Sequence, residues 1–315
     1  MRERFTATPE RYALVARFAL AMLTLIVLTG AAVRLTGSGL GCPTWPKCTQ
    51  DSLHTELTTH GVIEYGNRLL TFVVGFAAIA AGGLAFRRRP FRKDLAVLGM
   101  LLPLGVVAQA VLGGFTVLYD LAPGFVMSHY ILSMLILVAA VALDWRAHRP
   151  PDARPPVSDR LVAWGARGLL PLGALTIFAG TAATAAGPHA GGAGTGDVIN
   201  RLDFKGIQTL DFVIAQHGRL ATVLGIAAVA LWLLARRRGA SAAQQSPLTW
   251  LCVLLGAQGV IGGAQYALEL PAELVWVHVT LAATTWVVLL WAVVALGRPV
   301  PRTSPAPERR ASAAA

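Results

Sequence analysis

Three histidines, His129, His217 and His278, stand inside or at the edge of long apolar runs. An ionisable side chain at such a depth costs roughly 3 kcal/mol unless it is paired or used. A single one could serve as a hydrogen-bonding partner for a neighbouring helix. Three at a common depth point instead to ligation, because imidazole binds heme iron and helix bundles hold hemes between facing helices. His217 and His278 could clamp one iron from both sides. Asn67 and His129 occupy the corresponding places earlier in the chain, and that pair offers one clear ligand. His60 precedes Asn67 by seven residues. That is about 10 Å along a helix, so His60 is no geometric replacement. His54 and His148 read as solvated.

Glu64 and Arg68 stand four residues apart at the start of another apolar run, in VIEYGNRLLTF. At that spacing they share a helix face and can neutralise one another. Glu64 also lies one turn from Asn67, where a carboxylate could exchange protons with a reacting group or stabilise a developing cation. Arg34, Arg68 and Arg219 could pair with porphyrin carboxylates, or equally snorkel to an interface. Cys42 and Cys48 flank PTWPK, and their spacing permits a disulfide in an oxidising compartment. A loop staple is the default reading. A redox role would require an exposed, strained bond. Cys252 reads as a packing residue.

The elements that must position these groups are membrane helices. The 315 residues are 55% hydrophobic and 14% charged, with a mean hydropathy of +0.59. A soluble domain would carry about 25% charged residues. Apolar segments fall at 13–35, 62–85, 95–118, 124–143, 162–186, 212–235, 248–268 and 273–296, each long enough to span the hydrocarbon core. The expected fold is therefore an all-α integral membrane protein with eight transmembrane helices.

The net charge is +11, and the basic residues gather in alternate connections. Clusters occur before the first span, at Arg87–Lys93, at Arg146–Arg167, at Arg236–Arg238 and after the last span. The intervening connections hold only Lys47, Arg201 and Lys205. This alternation places both termini in the cytoplasm and argues against a nucleic-acid partner. The opening MRERFTATPERY carries both signs and leads directly into a span, so no cleavable signal is expected. A bacterial plasma membrane is the expected location, with membrane lipid around the helices. The composition is compatible with a homo-oligomer.

An internal repeat is visible. Gln109, Gly113, Gly114 and His129 recur as Gln258, Gly262, Gly263 and His278 at an offset of 149. GAAVRLTGSG from Gly30 aligns with GTAATAAGPH from Gly180 at an offset of 150, which also sets Asn67 opposite His217. The chain reads as two tandem, parallel four-helix bundles with pseudo-twofold symmetry. The halves cover 1–148 and 149–300, and the Pro/Ala/Ser-rich 301–315 reads as a disordered tail.

Together these residues resemble the bacterial heme A synthase family. The matching pieces are TGSGLGCPTWPKC after the first span, IEYGNR opening the second, and the membrane histidines of the fourth, sixth and eighth. The eight-span duplicated layout matches as well. The resemblance implies an oxidoreductase that converts the C8 methyl group of heme O to a formyl group by two hydroxylations and loss of water. It implies a heme b cofactor on His217 and His278, and a substrate site for heme O in the N-terminal half. The family's glutamate falls on Glu64 and its cysteine pair on Cys42 and Cys48. Asn67, Arg68 and His129 would face the substrate heme. The pathway implies a heme O synthase upstream, a cytochrome oxidase downstream and an unidentified electron donor or acceptor. Many members have histidine where this chain has Asn67. With His129 as the one axial ligand, the iron would keep an open face lined by Asn67. Two other functions fit parts of the pattern. A membrane b-type cytochrome would use His217 and His278 but leave Glu64 without a purpose. A transporter would place its polar groups at mid-membrane rather than toward one surface.

Overall fold

The computed structural model describes residues 6–55, 57–150, 156–192, 194–197 and 199–300. The expected tail at 301–315 lies outside the described residues. Eight helices carry the fold: α1 (Pro9–Leu35), α2 (Thr59–Arg87), α3 (Lys93–Leu118), α4 (Pro123–Ala147), α5 (Arg160–Ala186), α6 (Thr209–Arg237), α7 (Ala242–Ala267) and α8 (Ala272–Leu296). All eight are long and apolar enough to cross a membrane.

Several helices begin before their apolar runs because polar caps start them. Thr58 accepts a hydrogen bond from the Gly61 amide at 3.1 Å, so α2 starts three residues ahead of the expected span at 62. Ser241 and Gln244 form a reciprocal capping box that opens α7 six residues ahead of the expected 248. Pro247 lies inside α7 at its sixth residue, where the missing amide leaves the Ala243 carbonyl without its helical donor.

The helices pack in two closed circuits. In the first, α1 lies against α2 and α4, and α3 bridges α2 to α4. In the second, α5 lies against α6 and α8, and α7 bridges α6 to α8. The circuits meet where α8 packs on α1 and α4. There the Trp286 indole donates to the Met134 carbonyl at 3.0 Å. Ala13, Ala16 and Ala19 on α1 and Ala77, Ala78 and Ala81 on α2 are all buried, and the Tyr12 hydroxyl of α1 donates to the Ala81 carbonyl of α2 at 3.0 Å. Small residues let membrane helices approach closely where apolar burial alone gives no driving force.

The turns also repeat. Asp120 and Leu121 have φ of 49° and 56° between α3 and α4, and Glu269 and Leu270 have 61° and 62° between α7 and α8. Each turn is closed by a 2.7 Å bond, Leu121 N–H to the Thr116 carbonyl and Leu270 N–H to the Gln265 carbonyl. Left-handed conformations cost about 1–2 kcal/mol at non-glycine residues, so the same strained pair at offset 149 marks a shared backbone design.

At the arginine-rich end, Asp144 on α4 is fully buried and lies 3.1 Å from His148 and 3.4 Å from Arg17. His148 was expected to be solvated. Its ring is instead turned onto a buried carboxylate one turn earlier on the same helix, which the i, i+4 spacing allows.

Candidate functional site

His217 on α6 and His278 on α8 face each other, with ring centres 6.0 Å apart and planes at 78°. Each ring is seated by a glycine on the preceding helix. A Cβ at Gly180 would stand 3.0 Å from the Cε1 of His217, and one at Gly262 would stand 3.2 Å from that of His278. His217 Nδ1 lies 2.9 Å from the Thr176 carbonyl on α5. As the donor there, Nδ1 leaves Nε2 as the ligating nitrogen. Gln258 Nε2 donates to the His278 carbonyl at 3.1 Å and pins that turn of α8. His278 Nδ1 is buried with no partner among the described residues.

This donor set fits heme iron. Rings at 6.0 Å leave room for one metal ion with nitrogen bonds of about 2 Å on either side. Among the described residues there is no group of three or more His, Cys, Asp or Glu able to hold a metal ion. Two neutral imidazoles alone are a poor cage for a bare cation. They suffice for an iron whose other four ligands come from a porphyrin.

The first half repeats one side of this arrangement. His129 is seated on Gly113, where a Cβ would lie 3.1 Å from its Cε1, and Gln109 Nε2 donates to the His129 carbonyl at 2.9 Å. Its Nδ1 is likewise buried without a partner among the described residues. His129 and His278 each stand six residues beyond the first residue of their helices (129 − 123 and 278 − 272). Asn67 and His217 each stand eight beyond theirs (67 − 59 and 217 − 209). The register thus matches and the chemistry differs. Asn67 Oδ1 accepts from the Thr29 hydroxyl on α1 at 2.8 Å. At Gly30, the counterpart of Gly180, an added Cβ would meet nothing within 4 Å beyond its own stretch of helix, among the described residues.

Glu64 is 8% exposed on the first turns of α2. Arg68 Nε donates to Glu64 Oε1 at 3.0 Å. The rest of the guanidinium is spent on the cysteine loop. Nη1 reaches the Thr44 and Lys47 carbonyls at 3.0 and 3.2 Å, and Nη2 reaches the Cys42 carbonyl at 2.8 Å. The Cys42 and Cys48 sulfurs lie 2.01 Å apart, at bonding distance. Between them, the Trp45 ring lies on α3 within 2.8 Å of where a Gly114 Cβ would stand, one residue from the seat of His129. His60 Nδ1 is 2.8 Å from the Ser38 hydroxyl, so this histidine secures the loop. Replacing Arg68 by lysine keeps a charge beside Glu64 and loses the fork that reaches three carbonyls. Losing a bond or two of this kind costs 1.5 kcal/mol or more, so thiol release by a water-soluble reductant, read by alkylation of Cys42 and Cys48, should quicken about tenfold.

The sequence model of the family described as cytochrome oxidase assembly protein matches residues 13–290, most of the chain. The chain belongs to that family. It is therefore a multi-pass membrane protein. Among curated proteins, it is 31% identical over 123 residues to the heme A synthase of Lysinibacillus sphaericus, covering 39% of this chain and 40% of that protein. It is 27% identical over 135 residues to the heme A synthase of Halalkalibacterium halodurans, covering 42% of this chain and 45% of the relative. The heme A synthase of Alkalihalophilus pseudofirmus is 28% identical over 120 residues, 38% of this chain and 40% of that protein. The chain thus aligns with less than half the length of each of these relatives.

In this member of the family, the structure brings His217 and His278 together and pairs Glu64 with Arg68. Arg34 Nε donates to the His189 carbonyl at 3.2 Å. Gln109 and Gln258 stood out only as repeat matches, and their shared role on a histidine carbonyl is given by the three-dimensional packing. Thr29, Thr176 and Trp45 act through contacts between distant helices and loops, for which no local pattern exists.

Proposed function

We propose that this chain is a heme A synthase, an oxidoreductase that converts the C8 methyl group of heme O to a formyl group. The observation that carries the reading is the facing pair His217 and His278, repeated in the first half as His129 alone on the same glycine seat. In this reading residues 149–300 hold a resident heme b on His217 and His278, and residues 1–148 bind heme O on His129. Heme b supplies a one-electron store between the substrate site and an external redox partner.

The protein's own groups do the rest. Thr176 and the seats at Gly180 and Gly262 hold the imidazoles in one orientation. Each hydroxylation exchanges a C–H bond of the methyl group for C–OH at the expense of an external oxidant. The resulting geminal diol loses one hydroxyl with the proton of the other as water, leaving the formyl group. Arg68 engages Oε1 of Glu64, so Oε2 is the oxygen that takes and returns protons in these steps. The loop held by Arg68 and carrying Trp45 shields that end of the site from water. The arginine distribution supports a bacterial cell membrane with both termini cytoplasmic and the histidines toward the opposite surface. A heme O synthase would supply the substrate and a cytochrome oxidase would take the product.

The test is heme extraction and chromatography from cells that lack heme A, expressing this chain with a heme O synthase. Heme A or its hydroxylated precursor is expected. Bound heme b with heme O unchanged would favour an electron carrier over a synthase.

A further inference from the structure

We propose that the first-half iron site has a dedicated small-ligand pocket on its open face, formed by Thr29, Gly30 and Asn67, which receives a neutral diatomic molecule of the dioxygen class. The inference rests on the reading that each half holds a heme. It concerns what this chain places opposite His129.

The two halves serve as each other's control. On the α4 and α8 side they are alike: His129 and His278 share the glycine seat, the glutamine bond to the carbonyl and a buried Nδ1 with no partner among the described residues. On the α2 and α6 side they part. His217 fills the space against Gly180, whereas among the described residues no other helix or loop comes within 4 Å of a Cβ placed at Gly30. In place of an imidazole stands Asn67. Its amide is shorter than an imidazole and a weak iron ligand, but it can donate hydrogen bonds. The Thr29 hydroxyl donates to Oδ1 at 2.8 Å, so the Nδ2 donors are not taken up by that contact. A polar donor beside an open coordination position is what distinguishes heme sites that bind and activate a diatomic ligand from those that only pass electrons. Glu64 lies three residues before Asn67 on the same helix face, so the proton-handling carboxylate and the ligand-orienting amide stand side by side.

Carbon monoxide is the probe, because it binds ferrous heme with a free axial position and is not turned over. The full-length protein would be purified with heme in both halves, its heme-to-protein ratio measured, and the reduced form titrated with the gas. With two hemes per chain, half of the heme absorbance is expected to shift. Asn67→His should keep the ratio and abolish the shift, since a ring there has the room against Gly30 that His217 has against Gly180. Asn67→Leu should keep the shift and move the infrared C–O stretch, because the donor is gone. Two hemes with no shift in the parent protein would overturn the inference while leaving the reading of two heme sites intact. So would a shift that survives Asn67→His, and an unmoved stretch in Asn67→Leu would remove the amide from the pocket. A single heme per chain, lost in His278→Ala, would overturn the inference together with the reading of the first half.

Discussion

Replacing His278 with alanine is expected to empty the second-half site and to lower heme A formation by at least about 100-fold. Even residues that only orient a metal ligand cost 10–100-fold when removed, and His278 is proposed as a ligand itself. The geometry leaves no substitute. His217 would face a gap where a ring centre stood 6.0 Å away. Among the described residues, no third histidine, cysteine or carboxylate joins a cluster there. The measurement is the heme-to-protein ratio together with the low-spin bis-imidazole spectrum, both of which should fall before any product is assayed. His278→Met separates ligation from bulk. A thioether can still bind iron and raises its potential, so this variant should retain heme with a shifted midpoint potential. If His278→Ala keeps the full spectrum, the two rings are packing partners and the second half holds no iron between them.

The parts of this protein that the sequence reveals are those set by one-dimensional periodicity. Eight apolar runs mark eight helices because a membrane demands length and apolarity from each span separately. The offset of 149 or 150 marks equivalent positions, and the two left-handed turns at Asp120 and Glu269 follow the same offset. Glu64 and Arg68 are legible as a pair because helix geometry alone brings i and i+4 together. Helix ends were displaced at α2 and α7 because caps, not hydrophobicity, fix them. The destination of Arg68 was not legible. A guanidinium at a membrane boundary reads equally as a porphyrin partner or an interface anchor, and only the fold of residues 42–48 brings three carbonyls to it. The solvated reading of His148 missed Asp144 although the two stand at i and i+4, because a lone aspartate near a helix end does not announce that it is buried.

Glu64→Gln tests the chemistry separately from the architecture. The amide has nearly the shape of the carboxylate and can still accept from Arg68 Nε, so α2 and the loop it secures should stay in place. The three loop carbonyls hold the guanidinium independently of the carboxylate. What the variant loses is a group that can take and return a proton. General acid–base groups contribute about 10²–10⁴-fold, and the formyl product should drop within that range while bound heme b stays at the parent level. The distribution of products says where the proton is handled. If Glu64 acts in the final loss of water, the hydroxylated precursor accumulates at the expense of heme A. If it acts earlier, in delivering protons to the oxidant, heme O remains unchanged and both products fall together. Glu64→Asp should recover part of the activity in either case, since it restores the charge and withdraws it by one methylene. Heme A at parental levels in Glu64→Gln would reduce Glu64 to the counter-ion of Arg68. The buried pair would then be a structural tie for the cysteine loop, and the protons would have to come from water.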